Sequence, residues 1–346
     1  MAASDSEALI TTIIPTYRRP RLLRRAIESA LAQTYPHLQV CVYDNASGDE
    51  TASVVQEFAR GDPRVHYHCQ PENIGALRNF IYGAERVDTP FFSFLSDDDL
   101  LLPAFYETAL TAFEKYPEAI LSVTPTVLLD DKGSILKVPL AAWNPGLYRP
   151  PEGLRAMLKY APVTWTGVLF RREVIERVGM LDEEVGDASD LDFEFRAAAR
   201  FPVVVSRQPG AIFSFRSSPL ADLLRFQASW PGWEKMIRNL AEDERIPLDA
   251  RIHAEQALRE GPKRDLMRDG LASILRKDWA YTNKAVEVLC NHYNSRGRAF
   301  LLRSTSKVFK FFPPARYVSV SLIGLRRALR RFYLRKKFTA YAPRSY

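Results

Sequence analysis

Cysteine is scarce in this chain, and its few copies lie far apart. The 346 residues include three cysteines, Cys41, Cys69 and Cys290. Three scattered thiols cannot build a disulfide framework, and no spacing of Cys and His resembles a zinc site. We therefore expect a protein of the reducing cytosol.

Long apolar runs are also missing. A membrane-spanning helix needs about 18 or more consecutive apolar residues, and the sequence contains no such run. The N-terminal segment MAASDSEALITTIIPTYRR lacks the basic and then apolar order of a secretory signal. The sequence therefore predicts no transmembrane helix and a cytoplasmic location.

Glycine-rich nucleotide motifs are absent too. No GxGxxG follows the first apolar strand and no P-loop occurs, which argues against a dinucleotide-dependent oxidoreductase and against a P-loop enzyme. The loop after that strand reads PTYRRP and has no glycine. Nucleotidyltransferases usually carry a glycine-rich, basic signature there, so this class is disfavoured.

Acidic residues are absent from the C-terminal part. Residues 288–346 hold 14 of the 48 Lys and Arg and none of the 41 Asp and Glu, so the rest has a net charge of −7. In YVSVSLIGLRRALRRFYL, residues 317–334, apolar and basic side chains alternate at helical spacing. Such helices lie on anionic membranes, which favours a peripheral position at the inner face of the plasma membrane. Internal packing, an oligomer contact and nucleic-acid binding are the alternatives for this basic tail, placed at about 296–346.

What the sequence does contain is a regular alternation of strands and helices. Apolar, β-rich stretches such as 9–14, which ends at Pro15, and 40–43 alternate with stretches of helical apolar spacing. This alternation predicts a parallel α/β sheet flanked by helices. From about residue 120 the pattern is β-rich and irregular, and from about 219 it is helical. We therefore place a domain boundary near 217.

Three consecutive aspartates follow one apolar stretch, in FFSFLSDDDLLLP. Asp97, Asp98 and Asp99 come directly after a buried strand, and ligands of open α/β sheets bind at the carboxyl ends of strands. Two carboxylates there can hold Mg²⁺ or Mn²⁺ together with a diphosphate. The alternative is a solvated turn that caps a helix beginning in DDDLLLPAFYETALTAF.

Two further pairs of polar residues lie in predicted loops next to a strand or a helix. Asp44 and Asn45 follow VCVY, where their side chains either contact the edge of a nucleotide base or close an Asx turn. Asp190 and Asp192 lie in a loop that enters a helix, in GDASDLDFEF. A carboxylate there is either a general base or a helix N-cap.

Three blocks of sequence occur in the order and with the gaps of a known family. They are IIPTYRRPRLLRRAIESALAQTYPHLQVCVYDNASGDET, PENIGALRNFIYGAERVDTPFFSFLSDDDLLLP and TGVLFRREVIERVGMLDEEVGDASDLDFEFRAAA. Over about residues 9–216 the chain resembles the family 2 glycosyltransferases of the GT-A fold. This resemblance implies an α/β, Rossmann-like, mostly parallel sheet flanked by helices. It also implies a nucleotide-sugar half at about 9–103, an acceptor and catalytic half at about 104–217 and a mainly helical C-terminal region at 218–346.

The resemblance also implies roles for individual residues. Asp190 matches the catalytic base, and Asp98 matches the ligand of Mg²⁺ or Mn²⁺ in the DXD-type motif, with Asp99 beside it. The positions that match nucleotide-sugar binding are Pro15, Thr16, Tyr17, Asp44, Asn45, Arg78 and Asp97. The positions that match acceptor binding are Trp165, Thr166, Gly167 and Asp192.

Three places depart from the family pattern. Ser189 replaces the first acid of the usual Glu-Asp-x-Asp block, and Asn45 replaces the second acid of the usual Asp-Asp pair. The stretch AIFSFRSSP has no histidine where many relatives place one, so Arg216 is the candidate that neutralises the diphosphate.

The implied reaction is the inverting transfer of a sugar from a nucleotide-diphosphate sugar to an acceptor hydroxyl. Surface polysaccharide, lipopolysaccharide and glycoprotein glycans are the expected products, and a glycan or lipid-linked glycan is the expected acceptor. A homo-oligomer is left open. The alternatives are a catalytically decayed glycan-binding or scaffold protein at the membrane, and a nucleotidyltransferase. Decay would be marked by loss of Asp190 or of the Asp97 and Asp98 pair, and these residues are present.

Overall fold

The computed structural model describes residues 9–130, 133–214 and 218–311, together with residues 333, 337 and 338. Two expectations fall outside these ranges, namely the role of Arg216 and almost all of the amphipathic stretch at 317–334. In the described part of the chain, no helix combines the length and the apolar character needed to cross a membrane.

The first part of the chain forms parallel strands separated by helices, as predicted. The elements are β1 (Ile10–Thr16), α1 (Pro20–Leu31), β2 (Leu38–Asp44), α2 (Thr51–Gly61), β3 (Val65–Cys69), α3 (Ala76–Ala84) and β4 (Phe91–Phe94). The strands are parallel and lie in the order β3-β2-β1-β4. All seven residues of β1 are buried, because elements cover both faces of this part of the sheet.

Strand β1 does not end at Pro15, as the sequence suggested, but continues through Thr16. Its pairing with β4 stops at Ile13, whereas its pairing with β2 continues to Thr16. Asn45 donates its backbone N–H to the Thr16 carbonyl, and Leu95 donates to the Ile13 carbonyl. Successive residues of a strand direct their backbone N–H and C=O groups toward opposite neighbouring strands. Pro15, which has no N–H, therefore faces the side of β4, where strand pairing has already ended at Ile13.

The second part of the sheet mixes strand directions. Its elements are β5 (Leu100–Leu101), α4 (Phe105–Lys115), β6 (Leu121–Val123), β7 (Thr126–Leu129), β8 (Ile135–Lys137), β9 (Gly146–Tyr148), α5 (Glu152–Lys159), β10 (Val168–Arg171), α6 (Glu173–Val178), α7 (Ser189–Arg200), β11 (Val203–Val205) and β12 (Ala211–Ser214). The large sheet has the order β3-β2-β1-β4-β10-β6-β11-β9, and a smaller sheet has the order β5-β12-β7-β8. Short 3-10 turns occur at Pro139–Ala142, Trp165–Gly167 and Gly186–Ala188.

The three aspartates do not cap a helix. Helix α4 begins only at Phe105, and its N-cap residue Ala104 makes no side-chain cap. Leu100 and Leu101 form β5 instead, because they pair with Ile212 and Ala211 of β12. This partner strand is remote in the sequence, so the local pattern could not reveal it.

The last part of the described chain is helical, as predicted. It contains α8 (Pro219–Ala228), α9 (Trp230–Ala241), α10 (Leu248–Arg276), α11 (Trp279–Glu287), a π-helical turn at Val288–His292 and α12 (Arg296–Phe311). Met236 and Ile237 of α9 and Ala250 of α10 belong to the same buried core as Phe92 and Phe170 of the sheet. The end of α10 packs with α8, α11 and α12 around a separate core. The boundary near 217 stays a proposal, and the helices beyond it complete the core of the sheet.

Candidate active site

The register of the sheet brings several of the selected residues to one edge. Thr16 is paired with Asp44 at the carboxyl ends of β1 and β2, and Asp97 follows the end of β4. The Thr16 hydroxyl donates a hydrogen bond of 2.8 Å to Oδ2 of Asp97. We call this group, formed by Thr16, Tyr17, Asp44, Asn45 and Asp97–Asp99, the carboxyl edge.

Arg19 contacts both of the first two aspartates. Its Nη1 atom lies 3.0 Å from Oδ1 of Asp97 and 3.2 Å from Oδ2 of Asp98. The side chain of Asp97 is 6% exposed and that of Asp98 is 25% exposed, whereas Arg19 is 52% exposed. Burial raises the pKa of Asp97, and the bonds from Thr16 and Arg19 oppose this rise. Asp98 is therefore the more accessible carboxylate of the pair.

Asp99 faces the interior. Its Oδ2 accepts a 2.6 Å hydrogen bond from the Thr166 hydroxyl, and its Oδ1 accepts a 2.9 Å bond from the backbone N–H of Ser214. The residue is 1% exposed, and burial raises its pKa to about 8. The role of Asp99 at the metal stays a prediction, and in this structure its two oxygens join the carboxyl edge to β12 and to the turn at Trp165–Gly167.

Asp44 and Asn45 are buried, and both already have partners. Asp44 accepts hydrogen bonds from the backbone N–H of Ser47 at 3.0 Å and from the Tyr67 hydroxyl at 2.7 Å. Asn45 accepts from the backbone N–H of Ile74 and donates to Asn73. The first contact of Asp44 is the Asx turn that the sequence left open. A nucleotide base would have to replace one of these partners, whereas Tyr17 is exposed beside them.

In the described structure, Arg78 pairs with a glutamate of another segment and not with Asp97 or Asp98. Its Nε atom donates a 2.7 Å hydrogen bond to Oε2 of Glu183, and both side chains are largely exposed. Glu183 precedes the 3-10 turn that leads into α7. Arg78 thus joins α3, beside the carboxyl edge, to the segment that carries Asp190.

The residues of the turn at Trp165–Gly167 mostly contact other residues in the protein interior. Thr166 is buried and bonds to Asp99, as described above. A Cβ atom on Gly167 would lie 2.6 Å from the Thr126 hydroxyl and 2.7 Å from the Thr124 carbonyl, so only glycine fits. The Trp165 ring, which is partly buried, stacks on Phe94 at 4.4 Å. Of the three residues predicted to bind the acceptor here, Trp165 is the one with an exposed surface.

Asp190 lies in the first turn of α7, not at its N-cap, which is Ala188. Its Oδ1 accepts a 2.8 Å hydrogen bond from the backbone N–H of Leu191. Burial raises the pKa of Asp190 to about 6, and the charge of Asp187 adds to this rise. Ser189 donates to the carbonyls of Asp182 and Gly186 and so fixes the start of the helix. Asp190 is thus a partly exposed carboxylate whose raised pKa makes it a stronger base than an ordinary aspartate.

Asp192 is fully buried and paired. Its Oδ2 lies 2.7 Å from Nε of Arg196, and its Oδ1 accepts a 2.9 Å hydrogen bond from Asn239 of α9. The prediction that Asp192 binds the acceptor is therefore corrected, because its side chain has no exposed surface. Its contacts instead join α7 to α9.

Two residues near the site were missed by the sequence reasoning. Arg19 could have been found, since PTYRRP places two arginines directly after a strand. Glu194 lies one helical turn after Asp190, is fully buried, and its Oε1 has no hydrogen-bond partner among the described residues. Burial raises the pKa of Glu194 well above its usual range, and the charge of Asp190 adds to this rise. A glutamate in a helix normally indicates a solvated face, so no sequence signal revealed it.

Helix α9 holds the segment 182–192, which comprises the loop before α7 and the first residues of that helix. Asn239 donates to Asp182 as well as to Asp192, and Lys235 lies 2.8 Å from Glu184. A Cβ atom on Gly232 would lie only 2.0 Å from the Val185 carbonyl oxygen. The backbone of this segment therefore packs directly on the backbone of α9.

The chain matches the family described as "Glycosyl transferase family 2" over residues 11–179. This match includes the whole carboxyl edge and the turn at Trp165–Gly167. The part of the chain that carries these residues is therefore similar to glycosyl transferase family 2. The similar curated proteins include the GalNAc(5)-diNAcBac-PP-undecaprenol β-1,3-glucosyltransferase of Campylobacter jejuni, which is 33% identical over 129 residues, covering 37% of this chain and 41% of the relative. The chain spans 32%, 79% and 41% of the lengths of the first curated relatives that it matches.

Solved structures confirm the predicted fold class. S. aureus TarS, solved in complex with UDP-GlcNAc, aligns with a TM-score of 0.60 and 14% identity over 87% of this chain and 91% of that one. The mannosyltransferase PcManGT of Pyrobaculum calidifontis, solved with GDP-Man and Mn²⁺, aligns with a TM-score of 0.56 and 18% identity over 95% and 88%. The chain therefore has a mixed α/β fold of the GT-A type with additional C-terminal helices.

Proposed function

We propose that this protein is an inverting glycosyltransferase that moves a sugar from a nucleotide-diphosphate sugar to an acceptor hydroxyl. The observation that carries the proposal is the accessible Asp98 carboxylate at the carboxyl edge, within a segment that matches the family 2 model. Asp190 supplies a second, separate carboxylate of raised pKa. Retention of both acids disfavours a decayed scaffold, and the family match disfavours a nucleotidyltransferase.

The donor would lie along the carboxyl edge. Tyr17 offers an exposed ring to the nucleoside, and Pro15 and Thr16 line the same strand end. Asp44 and Asn45 shape the wall beneath it through their buried hydrogen bonds. Asp97 is held by Thr16 at the place where the sugar diphosphate would meet Asp98. Arg78 would serve the nucleotide only after release from Glu183.

The residues present fit a divalent cation that is shared with phosphate. No group of three or more His, Cys, Asp or Glu that could hold a metal by itself occurs among the described residues. Mg²⁺ and Mn²⁺ often take one or two carboxylates from a protein and complete their shell with phosphate and water. Asp98 would be the main ligand, with Asp97 beside it. When bound, the cation supplies positive charge beside the leaving diphosphate.

Asp190 would act as the general base. In an inverting transfer the acceptor oxygen forms a bond to the anomeric carbon while the bond to the diphosphate oxygen breaks. The acceptor proton passes to a carboxylate oxygen of Asp190, and the nucleoside diphosphate leaves with the bonding electrons. With a pKa of about 6, Asp190 is ionised at neutral pH and is a better base than an ordinary aspartate. The Trp165 ring would line the acceptor side.

The acceptor is proposed to be a glycan or a lipid-linked glycan of a bacterial surface polymer. The Campylobacter relative is named for a substrate on undecaprenol diphosphate, and a lipid-linked acceptor requires the enzyme to work at a membrane. A cytoplasmic location with peripheral contact at the inner face of the plasma membrane is part of this proposal.

Helix α12 provides a surface for that contact. One stripe of the helix, containing Ala299 and Leu302, is buried. A second stripe is exposed and apolar and consists of Phe300, Leu301, Val308 and Phe311. A third stripe is basic and exposed and consists of Arg296, Arg303, Lys307 and Lys310. Since the helix carries no acidic residue, its charge and its apolar stripe are complementary to a bilayer of anionic lipid.

Replacement of Phe300 and Phe311 by serine should abolish binding of the full chain to vesicles that contain phosphatidylglycerol. Leu248→Ser removes another exposed apolar side chain and is the matched control. Cosedimentation of each protein with anionic and with neutral vesicles measures the effect. Equal binding of both variants to anionic vesicles would contradict the role of α12. The membrane proposal would also be wrong if the wild type bound no vesicles and light scattering showed that the serine substitutions dissociate a dimer, because α12 would then be an oligomer contact.

The donor proposal is tested with a panel of nucleotide diphosphates and nucleotide-sugars, each with and without Mn²⁺. A ligand that binds only the folded protein raises the melting temperature, so the correct nucleotide should stand out from the others. NMR of the transfer product should then show inversion at the anomeric carbon. No shift with any nucleotide, or a product of retained configuration, would contradict the proposal.

A further inference from the structure

The side chain of Arg19 occupies the place where a cation is expected. One nitrogen, Nη1, contacts a carboxylate oxygen of Asp97 and one of Asp98. The backbone of Arg19 is fixed at the start of α1, where its carbonyl accepts the N–H groups of Leu22 and Leu23. Its guanidinium is about half exposed. The end of the side chain can therefore change partners without a change in the fold.

The other arginines near the carboxyl edge have different partners. Arg18 donates from its Nε to the carbonyl of Ser47 in the loop after β2. Arg78 is paired with Glu183. Among the described residues, Asp97 and Asp98 form their ion pairs with Arg19. Arg19 is thus the cation whose position depends on the state of these two carboxylates.

A divalent cation at Asp98 and the Arg19 guanidinium would compete for the same pair of carboxylates. Their charges also repel each other at this distance. A diphosphate that arrives with the metal offers the guanidinium new anionic acceptors, for which an arginine fork is well suited. The favourable arrangement therefore differs between the free protein and the complex with a donor.

We propose that Arg19 exchanges partners during donor binding, from Asp97 and Asp98 in the free protein to the diphosphate of the bound donor. This inference rests on the proposed function, since it assumes a diphosphate ligand. Arg19 is a positioning residue in this scheme, because it delays metal binding until a diphosphate is present. Metal and diphosphate then bind with positive cooperativity.

The exchange predicts effects of opposite sign when Arg19 is replaced. Arg19→Gln should bind Mn²⁺ alone more tightly, by about 2- to 30-fold, because two partly exposed ion pairs no longer compete with the metal. The same variant should bind pyrophosphate in the absence of metal more weakly, by about tenfold, because a charge-assisted contact is lost. Arg19→Lys keeps the charge but loses the fork, so its affinities should lie between those of the other two proteins.

The affinity for Mn²⁺ is measured by the electron paramagnetic resonance signal of the free ion, and that for pyrophosphate by calorimetry in chelator. Arg18→Gln removes the same charge from the neighbouring position and controls for the net charge of the protein. A misfolded Arg19→Gln would lose affinity for both ligands. A gain of Mn²⁺ affinity together with a loss of pyrophosphate affinity therefore distinguishes the exchange of partners from misfolding. An unchanged affinity for Mn²⁺, or an equal gain in Arg18→Gln, would overturn the inference.

The two arms also separate this inference from the proposed function. Binding of Mn²⁺ alone depends only on the carboxylates and on Arg19. If Arg19→Gln gains affinity for Mn²⁺ while no protein binds pyrophosphate or any nucleotide, the competition stands and the exchange to a diphosphate is overturned together with the donor proposal. If wild type and Arg19→Gln bind nucleotide equally well, the proposed contact of Arg19 with the diphosphate is overturned and the proposed function stands.

Discussion

The carboxyl edge and the segment 182–192 are both acidic, but different forces hold them. At the carboxyl edge, strand pairing sets the main chain, and buried bonds such as those from Thr16 to Asp97 and from Thr166 to Asp99 set the side chains. The segment 182–192 has no strand partner in the described structure. Its position depends on α9, through Gly232, Lys235 and Asn239.

This difference shows why the C-terminal helices matter to the proposed chemistry. Donor binding would need only the sheet and the loops that follow its strands. The proposed base Asp190, by contrast, is positioned by a helix that lies beyond the segment matched by the family. Substitutions in α9 should therefore lower the turnover of sugar transfer without weakening the binding of the donor.

The largest effect that separates the two regions should come from Gly232→Ala. The added Cβ would lie 2.0 Å from a backbone oxygen of Val185, so the segment must move. Overpacking of this kind typically costs about 1–3 kcal/mol of unfolding free energy. A shift of about 1 Å in a reacting group can lower turnover about 100-fold. Steady-state turnover and nucleotide affinity, measured side by side, should show loss of the first and retention of the second.

Gly297→Ala, in α12, is the matched control, because its added Cβ would meet no atom within 4 Å among the described residues. It should keep full turnover and gain a little stability, as alanine favours a helix over glycine. Equal loss of nucleotide affinity and turnover in Gly232→Ala would show that the two regions are not independent.

Sequence reasoning succeeded where neighbouring residues determine the structure. The period of apolar residues predicted four parallel strands and three helices up to Phe94, and Asp97 was correctly expected at a strand end. The reasoning failed where a remote partner decides. Leu100 joins a strand because Ile212 pairs with it, and Asp192 is buried because Asn239 of α9 contacts it.

Glu194 of α7 allows a further test, because one oxygen of its buried carboxyl has no hydrogen-bond partner among the described residues. Its pKa in the folded protein is raised, so the unfolded chain loses the proton first. The stability from Glu194 is full below its ordinary pKa of about 4.3 and is lost as the pH rises toward the folded-state pKa. Glu194→Gln stays neutral, so relative to wild type it should gain up to about 1.4 kcal/mol of unfolding free energy per pH unit.

Urea unfolding of both proteins at pH 5, 6, 7 and 8 measures this gain. Glu72→Gln, at an exposed position, controls for the change of net charge. A constant difference between wild type and Glu194→Gln over this range would show that Glu194 is not a buried neutral acid.

The smallest effect should come from Lys235→Ala. Lys235 lies 2.8 Å from Glu184, but both side chains reach solvent. An exposed ion pair contributes about 0–1 kcal/mol, so turnover and stability should change little. Arg24→Ala breaks a similar exposed pair with Glu57 far from α9 and serves as the control. Loss of turnover in Lys235→Ala alone would mean that the ion pair, not the backbone contact at Gly232, holds the segment.

The central claim is that Asp190 takes the acceptor proton while the carboxyl edge holds the donor. Its most direct test is the turnover and the nucleotide-induced rise in melting temperature of Asp190→Asn, with Asp98→Asn measured beside it. The amide keeps the shape of Asp190 but cannot accept the proton, so turnover should fall at least about 100-fold while the nucleotide still raises the melting temperature. Asp98→Asn should instead reduce the additional rise caused by Mn²⁺. Wild-type turnover in Asp190→Asn would contradict the account.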